Sequence, residues 1–200
     1  NIFKYLMNKS KRNSKIILYT PTWRGYNYDF PLNKILGINY FNFNNFLQKN
    51  DLYLFYSCHP NQVDKKIPLN YSRIKFINTI KFPFYDTNEF LNEVDVLLND
   101  YSNSSTDFAI LKKPQIFFMP DYNRYYNYQG FLDDYKRNLI GPQISNLSEL
   151  KKKIVEYTHP SNTYLDQYSF KLKRYLDKYY NVRIQNSSVL LKNFVLSKLD

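Results

Sequence analysis

The sequence contains one cysteine, Cys58, two histidines, His59 and His159, one tryptophan and four glycines. A single thiol excludes an internal disulfide framework, and one cysteine with two histidines cannot complete a four-ligand zinc site without carboxylates. Neither a metal nor a cofactor is expected. With so few glycines, neither the glycine-rich dinucleotide fingerprint nor the P-loop is present, which sets aside nicotinamide dehydrogenases and P-loop NTPases. No apolar run reaches the roughly 18 residues that read as a membrane span, and the opening residues show no signal-peptide pattern. The chain reads as cytoplasmic.

Aromatic and basic residues are abundant, with 21 Tyr, 16 Phe and 28 Lys plus Arg against 17 Asp plus Glu, a net charge of +11. At 200 residues and 44% hydrophobic, the chain can bury the core of one α/β domain. The positive balance favours anionic partners: phosphates, nucleic acid or a membrane surface.

Five short, mostly apolar runs read as buried strands, at 15–20, 51–57, 73–78, 94–98 and 115–119. Helices are predicted at 43–49, 87–94, 106–112, 147–157 with Asn146 as cap, and 165–180, with a last apolar stretch at 189–199. Residues 121–141 read as a Tyr-rich loop. Apolar strands alternating with helices imply an α/β fold, a parallel Rossmann-like sheet with helices on both faces. The domain is expected over 15–180, after the end of an upstream helix or linker at 1–14 and before a docking helix at 181–200.

Parallel sheets bind ligands beyond the carboxyl ends of their strands. The first such end, Thr20-Pro21-Thr22-Trp23-Arg24, offers a hydroxyl and a guanidinium on a stiff turn, to grip a phosphate or simply to meet solvent. The second delivers His59 before Pro60, an imidazole able to bond a phosphate or move a proton, or a loop residue satisfied locally. Cys58 beside it reads as packed. The third, Asp100-Tyr101-Ser102-Asn103-Ser104-Ser105, opens a helix with short donor side chains, suited to an anion or to an ordinary N-cap. His159 reads as a loop residue and Lys151–Lys153 as a solvated face. Interleaved Tyr and Lys also raise a single-stranded nucleic-acid module, but no nucleic-acid motif is present and none is expected as partner.

In order, Ile17-Leu18-Tyr19-Thr20-Pro21-Thr22-Trp23-Arg24, His59-Pro60, Asp95-Val96-Leu97-Leu98-Asn99-Asp100-Tyr101-Ser102-Asn103, Asp107-Phe108, Leu111-Lys112-Lys113-Pro114 and Gly141-Pro142 resemble the CDP-glycerol glycerophosphotransferases of teichoic acid and capsule synthesis. The resemblance covers roughly residues 10 to 155. It implies the C-terminal, donor-binding half of a two-domain glycosyltransferase-B-type fold, with an N-terminal acceptor half elsewhere. It further implies a CDP-glycerol or related CDP-polyol donor, an anionic polyol-phosphate or glycan acceptor, and work at the inner face of the cell membrane. Donor contacts would fall on Thr22, Arg24, Asn99, Asp100, Ser102, Asn103, Ser104 and Asp107, with His59 as the catalytic residue. The family more often has Thr at Asn99, Ser at Asn103 and Arg at Gln129; losing that Arg removes a charge-assisted phosphate contact. Alternatives are a nucleotide-sugar glycosyltransferase of similar fold and a non-catalytic basic interaction module.

Overall fold

The computed structural model describes residues 14–24, 39–57, 71–77, 90–131, 134–180 and 187–198. Six strands are described: β1 (Lys15–Thr20), β2 (Leu52–Ser57), β3 (Ile74–Ile77), β4 (Val96–Asn99), β5 (Gln115–Phe118) and β6 (Gln143–Ile144). They form one sheet in the order β3-β2-β1-β4-β5-β6, and every pairing is parallel. The helices are α1 (Tyr40–Lys49), α2 (Ser104–Ala109), α3 (Tyr122–Gln129), α4 (Leu147–Thr158), α5 (Tyr164–Tyr179) and α6 (Ser187–Leu196).

The strands are apolar throughout because both sheet faces are covered. Alternation of side chains sends Ile17 and Tyr19 of β1 to one face, where they meet Phe43 and Leu47 of α1 and Leu150 and Ile154 of α4. Ile16 and Leu18 go to the other, against Phe90, Leu91 and Phe108 of α2. Asn39 caps α1 by accepting from the Asn42 N–H at 3.2 Å, so that helix begins three residues before its expected start. Asn146 caps α4 as expected, accepting from the Glu149 N–H at 2.9 Å.

Two expectations change. Residues 121–141 are not simply a loop: they hold α3 and a 3₁₀ turn at Lys136–Asn138, and Tyr125 is the side chain of α3 that reaches the core. The sixth strand, β6, is two residues long and too short to show in a hydropathy pattern. The expected helix start at 87–89 lies outside the described residues, as do residues 1–13. Val189, Leu190, Leu191, Phe194, Val195 and Leu196 of α6 are exposed.

Gly141 is required by close approach. A Cβ there would lie 2.2 Å from the Gln115 backbone oxygen, where β6 joins β5. Gly141→Ala is expected to force the edge apart and cost about 1–3 kcal/mol, as for other overpacked sites. A urea midpoint equal to that of the wild type would show that the β6 edge yields freely.

Candidate functional site

Strand order reverses direction at β1 and β4, the two strands whose ends frame the crevice of an open α/β sheet. Their register sets Thr20 beside Asn99, with the Thr20 hydroxyl donating to Asn99 Oδ1 at 3.3 Å. The turns that follow, 21–24 and 100–103, therefore leave the sheet side by side.

Arg24 does not lie on an open turn as the sequence suggested. Its side chain is 1% exposed and salt-bridged to Asp100 at 2.5 Å and to Asp121 at 3.1 Å. The Asp121 contact is a fork, Nε to Oδ2 at 3.1 Å and Nη2 to Oδ1 at 3.2 Å, and Nη1 also donates to the Thr22 carbonyl. The guanidinium carbon lies 4.8 Å from the ring centre of Tyr101 and 5.2 Å from that of Tyr125, two rings that stack 3.8 Å apart. Burial opposes the Arg24 charge, but Asp100 and Asp121 more than offset it and hold the pKa above its ordinary value.

Asp100 is equally enclosed. Its carboxylate accepts from the Thr22 N–H at 2.9 Å, the Thr22 hydroxyl at 2.7 Å, Arg24, and the Tyr101 N–H. Asn99, also fully buried, donates through Nδ2 to the Ser102 carbonyl at 3.0 Å. Tyr135 donates its hydroxyl to the Asp100 carbonyl, and Tyr101 donates to Asp121 at 3.0 Å. Burial first, then the nearby Asp121, pushes the Tyr101 phenol up, so it stays a neutral donor. Thr22, Arg24 and Asp100 are thus brought together and bond to one another, while Asn99 beside them bonds Thr20 and Ser102.

The rest of the expected set opens outward. Ser102 and Ser104 are half-buried, their hydroxyls 3.2 Å apart, and Asn103 is exposed with no side-chain cap bond to α2. Of the two residues able to serve as an N-cap here, Asn103 makes no such bond, and Ser102 accepts from the Ser104 N–H at 3.3 Å. A cleft of about 320 Å³ lies against this turn, lined by Ser102, Asn103, Thr106, Phe131, Tyr135 and Tyr175 among others. The Thr106 and Tyr175 hydroxyls, 2.8 Å apart, tie α2 to α5 along its wall. Asp107 is exposed and accepts from the Tyr180 hydroxyl at 3.1 Å; burial and this bond push Tyr180 up to about 12.

His59, the expected catalytic residue, and Cys58 lie outside the described residues. His159 is exposed just after α4, with Nδ1 at 2.8 Å from the Ser161 hydroxyl. Gln129 is exposed at the end of α3. Among the described residues no group of three or more His, Cys, Asp or Glu is placed to hold a metal, and no helix is long and apolar enough to cross a membrane. Sequence reasoning missed Asp121. It follows β5 by three residues and would have emerged had the end of that strand been read as closely as those of β1 and β4.

Relatives supply what geometry alone leaves open. The teichoic acid glycerol-phosphate primase of Bacillus subtilis (strain 168) is 29% identical over 201 residues, covering 96% of this chain and 48% of the primase. The teichoic acid poly(glycerol phosphate) polymerase of Bacillus spizizenii (strain ATCC 23059 / NRRL B-14472 / W23) is 31% identical over 168 residues, 79% of this chain and 38% of that protein. The wall teichoic acid polymerase TagF superposes on 100% of this chain, using 50% of its own, with a TM-score of 0.67 and 24% identity. That likeness is one of fold, a Rossmann-like α/β sheet of the glycosyltransferase-B type. The chain matches between 38% and 50% of the length of these proteins. The family model for CDP-glycerol:poly(glycerophosphate) glycerophosphotransferases matches residues 7–196, and the chain belongs to that family.

Proposed function

We infer that the chain is the donor-binding half of a glycerophosphotransferase of teichoic acid or capsule synthesis, with CDP-glycerol or a related CDP-polyol as donor. The observation that carries this reading is the place of the Ser102–Ser104 turn: at the switch point of the sheet and open to an aromatic-walled cleft. The hydroxyls of Ser102 and Ser104 and the Asn103 amide would bond the diphosphate, and the aromatic walls would receive the flat pyrimidine.

In the reaction, a terminal hydroxyl of the acceptor attacks the glycerol-side phosphorus, a new O–P bond forms, and the bond to CMP breaks. His59 would stabilise or protonate the departing phosphate, and the base that accepts the hydroxyl proton would come from the acceptor half. In this reading residues 15–180 are the donor domain, and α6, within 181–200, serves for docking. The net charge of +11 and the exposed Lys171, Lys173, Arg174 and Lys178 of α5 suit an anionic polymer and the inner leaflet of the membrane.

Calorimetric titration with CDP-glycerol, CMP, CDP-ribitol and a UDP-sugar, on this chain and on the full-length protein, tests the reading. Cytidine compounds should bind, and the Ser102→Ala, Asn103→Ala double variant should lose about 10- to 100-fold in affinity, the worth of one or two hydrogen bonds to a charged group. Preference for the UDP-sugar would replace the donor with a nucleotide sugar. An unchanged affinity in the variant would move the site elsewhere.

A further inference from the structure

Three strands of the sheet, β1, β4 and β5, are followed within four residues by Arg24, Asp100 and Asp121, and these three side chains meet in one buried cluster. The partners lie 76 and 97 residues from Arg24 in sequence, so the cluster ties together strand ends that no local contact joins. Four of the guanidinium's five N–H groups go to Asp100, Asp121 and the Thr22 carbonyl. With the side chain 1% exposed, Arg24 presents no face to a ligand in the cleft.

The geometry points to Arg24 and Asp121 as positioning residues that set the pose of the Ser102–Ser104 turn without touching the donor. The inference rests on the donor reading of that turn. The path runs through two neighbours. Arg24 holds the Asp100 carboxylate, and that carboxylate accepts from the Tyr101 N–H. Asp121 holds the other end of the same residue through the Tyr101 hydroxyl. Tyr101 is thus pinned at backbone and ring, and the next residue, Ser102, has its carbonyl held by Asn99. The turn that carries the open hydroxyls therefore starts from a fixed point. Only a planar fork can bridge two carboxylates in this way; a lysine ammonium is a single point charge.

Amide hydrogen exchange on the ligand-free chain tests the pinning directly, in Arg24→Lys, Asp121→Asn and Tyr101→Phe. In the first two, amides 101–105 should accelerate about 10- to 100-fold more than the sheet amides of Ile17 and Leu54. Tyr101→Phe, which keeps both ion pairs and loses one hydroxyl bond, should show a smaller change at the same amides. A role confined to overall stability raises exchange equally in the turn and the sheet, and that result, or no change in the turn, overturns the proposal.

A binding cycle supplies the second readout. If both residues act through the turn, the CDP-glycerol affinities of Arg24→Lys and Asp121→Asn fall together, and the double variant is no weaker than the weaker single. Loss in Arg24→Lys alone would make Arg24 a direct donor contact and overturn the positioning role. Absence of CDP-glycerol binding by the wild type, beside local acceleration in the turn, would overturn the donor reading and leave the positioning of the turn standing.

Discussion

Asp100→Ala is expected to lower the stability of the domain by about 3–5 kcal/mol, the cost of breaking a buried ion pair from one side. The carboxylate is fully buried and accepts from Thr22 twice, from Arg24 and from the Tyr101 N–H. Removing it leaves the guanidinium in the interior with Asp121 as its remaining carboxylate, and leaves the Thr22 and Tyr101 donors without their acceptor. Water cannot replace that acceptor cheaply, because the Tyr101 and Tyr125 rings close over the cluster. Urea denaturation followed by circular dichroism measures the loss. Asp100→Asn, which keeps an acceptor for Thr22 and gives up the charge, should fall between the two. A loss below about 1 kcal/mol in Asp100→Ala would place the network among weak surface-type pairs.

Phe108→Ala should cost a similar amount, about 3–5 kcal/mol, by a different route. Phe108 is fully buried on α2 among Ile16, Leu18, Phe55, Phe90 and Leu97, so its ring is what seats the helix on the sheet. Its neighbour Asp107 points the other way, exposed and bonded to Tyr180. The Asp107-Phe108 pair therefore divides into a surface residue and a core residue. A cavity of the size of a phenyl ring cannot collapse easily where a six-residue helix is anchored by so few side chains. The same denaturation measurement applies, with Phe108→Leu expected to recover most of the loss. Equal stability of Phe108→Ala and the wild type would mean that α2 is held by its bonds to α5, not by its apolar face.

The site was legible in part. Strand-end reasoning found Thr22, Arg24, Asp100 and Ser102–Ser104 because buried parallel strands end abruptly in polar residues, a pattern visible in one dimension. It could not tell which of those residues face one another. Arg24 reads from the sequence as a phosphate-gripping or solvent-facing cation because its two carboxylate partners, Asp100 and Asp121, are remote in the chain. The segment 121–141 looked like a loop because α3 has a single buried side chain, Tyr125, and a helix with one anchor shows no apolar period.

The amino-acid order alone determined the number and polarity of the long apolar strands, the α/β class, the absence of glycine-rich phosphate loops and the family resemblance. Those properties follow from local pattern: apolar runs of strand length, their alternation with helical segments, and short motifs in series. The tertiary structure alone decided the strand order β3-β2-β1-β4-β5-β6, and with it the meeting of the turns after β1 and β4. It also decided which polar residues are spent inside the protein. A charge is buried or exposed according to what the remote chain places around it. In this domain two remote carboxylates and two tyrosine rings enclose Arg24, while Ser102 and Asn103, a few residues from one of those carboxylates, line the cleft.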